Sequence, residues 1–363
     1  MDDSLTSFIE EVYGDSHLRV EDDLGDGFVR LKSSEAERRQ AKHDIRSTED
    51  IVIEMLRNAR DAGARNIFLA SSREANMRRL TMVDDGSGVP ENMHEAIFKP
   101  RVTSKLDTMH IDKWGVHGRG MALYSVSVNA QQAYIASSEP GKGSAFVVVS
   151  DTNTIAEKTD QSTLPSFNYV EGELQVRGPH NINRCVAEFA YESMDTCNVF
   201  YGSPVEIAAT LYAFGEATVS KAMRVFAADD SSFSLPKRLC LSVEPDTFVD
   251  AAKTLGLELS ERSARRILDG DIKALPAVDE SFEFTKSPAR GSNNLSQAAR
   301  KKRLLKDARG LKIHDLDLEE FSNKIKEAYK DLAQGYYLEP DVSIKIHVSS
   351  SEITVSIPFS KIR

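Results

Sequence analysis

Glu54, Asn58 and Asp61 stand at i, i+4 and i+7 in the stretch IVIEMLRNARDAGA. On an α-helix that spacing puts all three on one face. Ile51, Val52, Met55, Leu56 and Ala59 supply the apolar stripe that docks such a helix on a sheet. Solvated helix faces usually mix both charge signs. A carboxylate one turn before an amide and two turns before another carboxylate suits a metal or water site better.

A second acidic element, Asp84-Asp85-Gly86-Ser87-Gly88, follows the strand-like run 80–83. Glycine-rich loops in that position often cradle phosphate through backbone N–H groups, but two aspartates would repel it. An aspartate can instead accept a hydrogen bond from an exocyclic amino group, as it does from cytosine. The glycines beside it let a flat base approach the backbone. Phosphate contacts then fall to Gly115, Gly118 and Gly120, which open a helix among Lys105, Lys113, His117 and Arg119. This cluster has neither the P-loop nor the Rossmann spacing. Asn58 offers an amide oxygen to Mg²⁺, which bridges protein and phosphates through one or two side chains and keeps several waters. Glu54 can orient or deprotonate a water aimed at a terminal phosphate, and Lys105 offsets charge there.

Positioning these groups requires a helix over 51–61, capped by Ser47 or Thr48 with acids in its first turn, and strands over 67–69 and 80–83. The spacing also predicts a hairpin over 17–21 and 28–32, a polar helix over 34–46 and a helix over 91–98. A long loop over 99–114 and a closing hairpin over 134–149 follow. Asp61 and Asp85 are expected to brace backbone, and Gly63 to end the helix. Beyond residue 150, 173–176 and 185–191 read as strands, 204–214 as a helix, and 247–269 as a compact helical pair. Further on, 287–297 reads as a linker, 298–309 as a basic run, 317–333 as an amphipathic helix and 342–357 as a hairpin. The segments expected are 1–46, 47–150, 151–285 and 286–363.

The chain has 363 residues, 40% apolar and 28% charged, as in ordinary globular proteins. Neither a long uncharged apolar run nor a signal-like start is present, so no membrane association and a cytoplasmic location are expected. Three scattered cysteines fit reduced thiols. A net charge of −10 argues against a uniformly basic nucleic-acid surface.

The boxes around Glu54, Asn58 and DAGA, Asp84-DGSG, Thr103-Ser104-Lys105, Gly115-VHGRGMALYS and Gly141-KGSAF resemble, in order and spacing, those of the GHKL superfamily of ATPases. That group includes gyrase B, heat-shock chaperones, histidine kinases and MutL. The MutL and topoisomerase VI B ATPase domains are the most similar in pattern. The resemblance covers roughly 45–150. It implies an α+β fold, a two-layer sandwich of a mixed sheet with helices on one face, followed here by a mixed α/β region. It implies ATP and Mg²⁺ bound under a lid at about 99–117, with closure coupled to homodimerisation. Residue by residue it assigns the base to Glu54, the Mg²⁺ ligand to Asn58 and the adenine-amino contact to Asp84. Close base approach goes to Gly86 and Gly88, and phosphate contacts to Lys105, Gly118, Gly120 and Met121. Thr103 belongs to the TSK box, and Ser144 stands where a threonine is common. Arg119 stands between lid glycines where an apolar or acidic residue is more usual.

The expected function is a slow ATPase whose nucleotide state drives lid closure and dimerisation, in the MutL or topoisomerase VI manner. The alternative is a nucleotide-gated protein-interaction module, of chaperone or defence type, without DNA contact. His43-Asp44-Ile45-Arg46-Ser47 mimics a kinase phospho-acceptor box, but only fifteen residues separate His43 from Asn58, too few for a dimerising hairpin. The basic run at 298–309 is a DNA-contact candidate or a solvated helix face. Trp114 would anchor the lid.

Overall fold

A computed structural model describes residues 20–104, 110–112, 115–117, 120–170, 173–226, 230–281, 315–336, 338–339, 342, 345–348 and 353–358. Lys105, Lys113, Trp114, Gly118 and Arg119, the 287–297 linker and the basic run at 298–309 lie outside the described residues. The chain divides into two compact units, Met1–Pro288 and Ala289–Arg363.

In the first unit, strands β1 (Val20–Gly25) and β2 (Phe28–Leu31) form the expected hairpin, with Asp26 and Gly27 at positive φ in its turn. Helix α1 (Glu35–Asp44) starts at Ser34, and α2 (Thr48–Asp61) at Ser47. Ser47 Oγ accepts from the Asp50 amide, and the Asp50 carboxylate accepts from the Ser47 amide. This reciprocal cap fixes the start of the site helix. Its end is a left-handed Gly63 at φ 75°.

Strands β3 (Asn66–Glu74) and β4 (Met77–Asp84) follow. The expected helix over 91–98 is instead two single 3-10 turns, Glu91–Met93 and Ala96–Phe98. Their buried anchors, Met93 and Ile97, share one face but belong to separate turns. Within the expected loop, β5 (Val102–Thr103) pairs with β2, and β6 (His110–Asp112) pairs with β7 (Gly115–His117), which lies just beyond the loop at the start of the glycine cluster. Then come α3 (Ala122–Asn129), β8 (Gln132–Glu139), β9 (Gly143–Asp151) and the pair β10 (Ser166–Val170) and β11 (Glu173–Arg177).

The strand expected over 185–191 is a helix, α4 (Ile182–Glu192). The Asn181 side chain caps it by accepting from the Arg184 amide. Ile182, Cys185, Val186 and Phe189 are buried at helical spacing, so one stripe of the apolar run docks on the core. The strand lies further on, as β12 (Asn198–Gly202). It is followed by α5 (Pro204–Thr218), α6 (Lys221–Phe226), a 3-10 turn at Leu235–Leu241, and the helical pair α7 (Pro245–Thr254) and α8 (Glu261–Leu268).

The central sheet runs β12-β3-β4-β9-β8 and is mixed: β12 lies parallel to β3, and the other pairs are antiparallel. The α+β sandwich expected from the sequence is present. Ile67, Leu69, Leu80, Met82 and Val148 face the buried stripes of α2 and α4, in one core. Phe68, Ala70, Val83 and Ala145 alternate to the other face. There they meet Phe200, Leu211, Phe214 and Phe248, from the region after residue 197, which adds a third layer. Phe68 stacks on Phe200 with centroids 4.8 Å apart. Gly256, at φ 75°, brings the turn after α7 onto the sheet, where Thr81 Oγ1 donates to its carbonyl at 3.0 Å. Burying one large apolar side chain contributes about 1.5–3 kcal/mol, against ~0–1 kcal/mol for an exposed ion pair. The apolar stripe of α2 therefore sets its position, leaving its polar face available for chemistry.

In the second unit, α9 (Asp315–Tyr336) precedes the antiparallel pair β13 (Lys345–Val348) and β14 (Ile353–Ser356), as the sequence pattern predicts. Among the described residues no helix is long and apolar enough to cross a membrane.

Candidate functional site

A cleft of about 170 Å³ opens between the polar face of α2, the ends of β4 and β9, and the β2–β5 edge. Helix α2 contributes Asn58 and Asp61, and the loop after β4 contributes Ser87 and Gly88. Asp84 and Ser144 are direct partners across β4 and β9, so sheet register alone brings these two distant residues to one end of the cleft.

Asp84 is 2% exposed. Its Oδ1 accepts from the Gly86 amide at 2.8 Å. Burial pushes its carboxyl up to about 7, with Asp85 adding in the same direction and the amides of Gly86 and Ser144 pulling it back. An acceptor this desolvated gains most from a ligand that donates a hydrogen bond to it. Asp85 points the other way and braces backbone, as expected. It accepts from the Arg65 and Asn66 amides at 2.7 and 2.8 Å and from Asn66 Nδ2 at 2.7 Å.

The glycines that form the floor are required by contact. A Cβ on Gly86 would lie 2.9 Å from Asp84 Oδ1 and 3.0 Å from the Ala62 Cβ. On Gly88, at φ 69°, it would lie 1.9 Å from the Glu139 carbonyl oxygen. The β8–β9 turn thus presses on the loop from behind, and the Gly141 amide donates to the Ser87 carbonyl. Ser144 Oγ is tied to Ser138 Oγ at 2.9 Å, and Ser138 Oγ accepts from the Val89 amide at 2.7 Å.

Thr103 and Gly120 also line the cleft. Gly120, at φ 67°, accepts from the Arg101 amide at 2.9 Å, which joins the two ends of the intervening segment. Met121 caps α3, its carbonyl accepting from the Ser125 amide. Gly115 pairs with Asp112 in the β6–β7 hairpin. Glu54 lies one turn before Asn58 and is not among the lining residues; its Oε1 accepts from Arg57 Nη1 at 2.7 Å.

The apolar walls escaped the sequence reading. Phe28, Ile97, Val102, Leu123 and Phe146 line the cleft from five separate elements. The sequence carries no signal that Phe28 and Phe146 share a cavity.

The donors fit a nucleotide with its divalent cation. Asn58 Nδ2 is buried with no hydrogen-bond partner among the described residues; this atom donates, so it suits an acceptor such as a phosphate oxygen, and a cation would take the Oδ1 of the same amide. No group of three His, Cys, Asp or Glu residues gathers to hold a metal among the described residues.

Residues 45–176 match the family described as histidine kinase-, DNA gyrase B- and HSP90-like ATPase. This segment is similar to the ATPase domains of that family. A stretch of 116 residues is also 30% identical to the DNA mismatch repair protein MutL of Leptospira biflexa serovar Patoc. The matched stretch is 31% of this chain and 19% of that protein. The matched segment contains α2, the Asp84 loop and the β8–β9 turn, and ends inside β11. The third layer built from β12, α5, α7 and α8 lies after it.

Proposed function

We propose that this chain binds Mg-ATP in the cleft and hydrolyses it slowly, with nucleotide binding closing the segment at about 99–117 and joining two copies of the chain. The observation that carries the reading is the pairing of Asp84 with Ser144 at one end of a cleft whose other wall is Asn58 and Asp61 of α2. In this reading the adenine lies among the apolar walls, its amino group donating to Asp84 while Gly86 and Gly88 allow it to approach. Asn58 would hold Mg²⁺, which when bound neutralises phosphate charge and orients the terminal phosphate. Lys105, Gly115, Gly118, Gly120 and Met121 contact the phosphates, and the Thr103 and Ser144 hydroxyls serve as further polar contacts. Glu54 takes a proton from the attacking water.

Replacing Glu54 with Gln tests the assignment. E54Q should lose about 10²–10⁴-fold in turnover while binding a non-hydrolysable ATP analogue as the parent does. Hydrolysis by E54Q at the parent rate would remove the base from this reading.

Two readings of the ATP's use remain in competition: a MutL-like clamp on DNA and a nucleotide-gated module that engages protein. The net charge of −10 favours the second. A DNA mobility-shift series at low salt with the ATP analogue separates them, since phosphate-backbone binding is strongest there. A shift that weakens steeply with salt would support the clamp.

A further inference from the structure

We propose that Arg57 is a positioning residue for Glu54, an assignment that rests on the reading of Glu54 as the base. Arg57 sits between the two functional positions of α2, and its side chain is only 3% exposed. Its Nη1 donates to Glu54 Oε1 at 2.7 Å, while the Glu54 side chain remains 20% exposed. An arginine placed three residues after a glutamate on a helix is ordinarily a solvated pair with little consequence. Here the guanidinium is out of water. It cannot shed its charge, and screening by solvent is weak at that depth.

Two effects on the base follow. The buried cation favours the ionised carboxylate, the form that can accept a proton. The ion pair also selects one rotamer of Glu54, fixing its direction relative to Asn58, the residue next to Arg57. A carboxylate offers about four lone-pair sites, so one carboxylate can accept from a guanidinium and from a water. In the step served, the water proton passes to the Glu54 carboxylate and the water oxygen bonds to the γ-phosphorus. The bond from that phosphorus to the bridging oxygen breaks, with its electron pair leaving on ADP.

The test compares R57Q, R57K, E54Q and the double variant E54Q/R57Q, measuring steady-state hydrolysis and affinity for a non-hydrolysable ATP analogue. R57Q should lower kcat by about tenfold or more, a share of what the base supplies, with analogue affinity within twofold of the parent. R57K, which keeps the charge without the planar fork, should recover part of that loss. In the E54Q background R57Q should change the residual rate less than about twofold, because on this assignment the effect of Arg57 on turnover runs through Glu54. A merely structural arginine would lower the E54Q rate by the same factor as the parent rate, and that result overturns the assignment. Parent kcat in R57Q overturns it as well. If R57Q does not fold, R57K decides: reduced kcat at unchanged affinity supports the role, and parent kcat refutes it. Parent turnover in E54Q would defeat the base reading and this assignment together, whereas an inactive E54Q beside a fully active R57Q defeats this assignment alone.

Discussion

Asp84 and Glu54 are both carboxylates of the same domain, yet the chain surrounds them differently. Asp84 ends β4 at 2% exposure and accepts hydrogen bonds from the Gly86 and Ser144 amides. Glu54 stands on the polar face of α2, a fifth exposed, against a guanidinium at 2.7 Å. A backbone dipole compensates a buried charge only in part, whereas an adjacent cation opposes it directly. The first environment leaves a carboxyl that holds its proton up to about pH 7 and awaits a donor. The second sets a cation directly against the carboxylate. On the proposed reading, one fold supports a recognising acceptor and a proton acceptor by varying what lies beside the same functional group.

The comparison breaks most visibly if Asp84 is made neutral. A group whose folded pKa is raised contributes stability that is fully present below its unfolded value of 3.8 and is lost as pH rises through about 7. The chain should therefore lose on the order of a few kcal/mol of stability across that window. Asp84→Asn should flatten the loss and be more stable than the parent at pH 8, while losing ATP-analogue affinity. Urea titrations from pH 4 to pH 8 check both chains, and parallel curves would contradict the account. In the parent, analogue affinity should rise as pH passes upward through about 7, because the amino donor needs the ionised acceptor.

A smaller effect separates the loop from the helix end. Gly88 and Gly63 have similar positive φ, 69° and 75°, but a Cβ on Gly88 meets Glu139 backbone while one on Gly63 meets nothing within 4 Å. Gly63→Ala should cost only backbone strain, about 1–2 kcal/mol. Gly88→Ala should cost more, because the β8–β9 turn must move, and should also weaken analogue binding. Equal melting temperatures for the two variants would mean that the turn does not brace the loop.

Local signals were the most legible. The start of α2 at Ser47, its polar face, its end at Gly63 and the Asp85 brace follow from spacing within a few residues or one strand. The pairing of Asp84 with Ser144 depends on register across β4 and β9, which no local pattern contains. Phe28 reaches the cleft because the N-terminal hairpin pairs with β5, an association far apart in the chain. The run 185–191 misled because β-branched and aromatic residues favour strands, while tertiary docking of one stripe selected a helix. Arg57 carries no local signal for a related reason: its residue type predicts solvent, and only packing buries it.

The most direct measurement is calorimetric titration of a non-hydrolysable ATP analogue with Mg²⁺ into the parent, E54Q and D84N chains at pH 8. The account predicts one site per chain, unchanged in E54Q and weakened at least about tenfold in D84N, the loss of one hydrogen bond to a charged acceptor. Binding by D84N as tight as by the parent, or no binding by the parent, would contradict it.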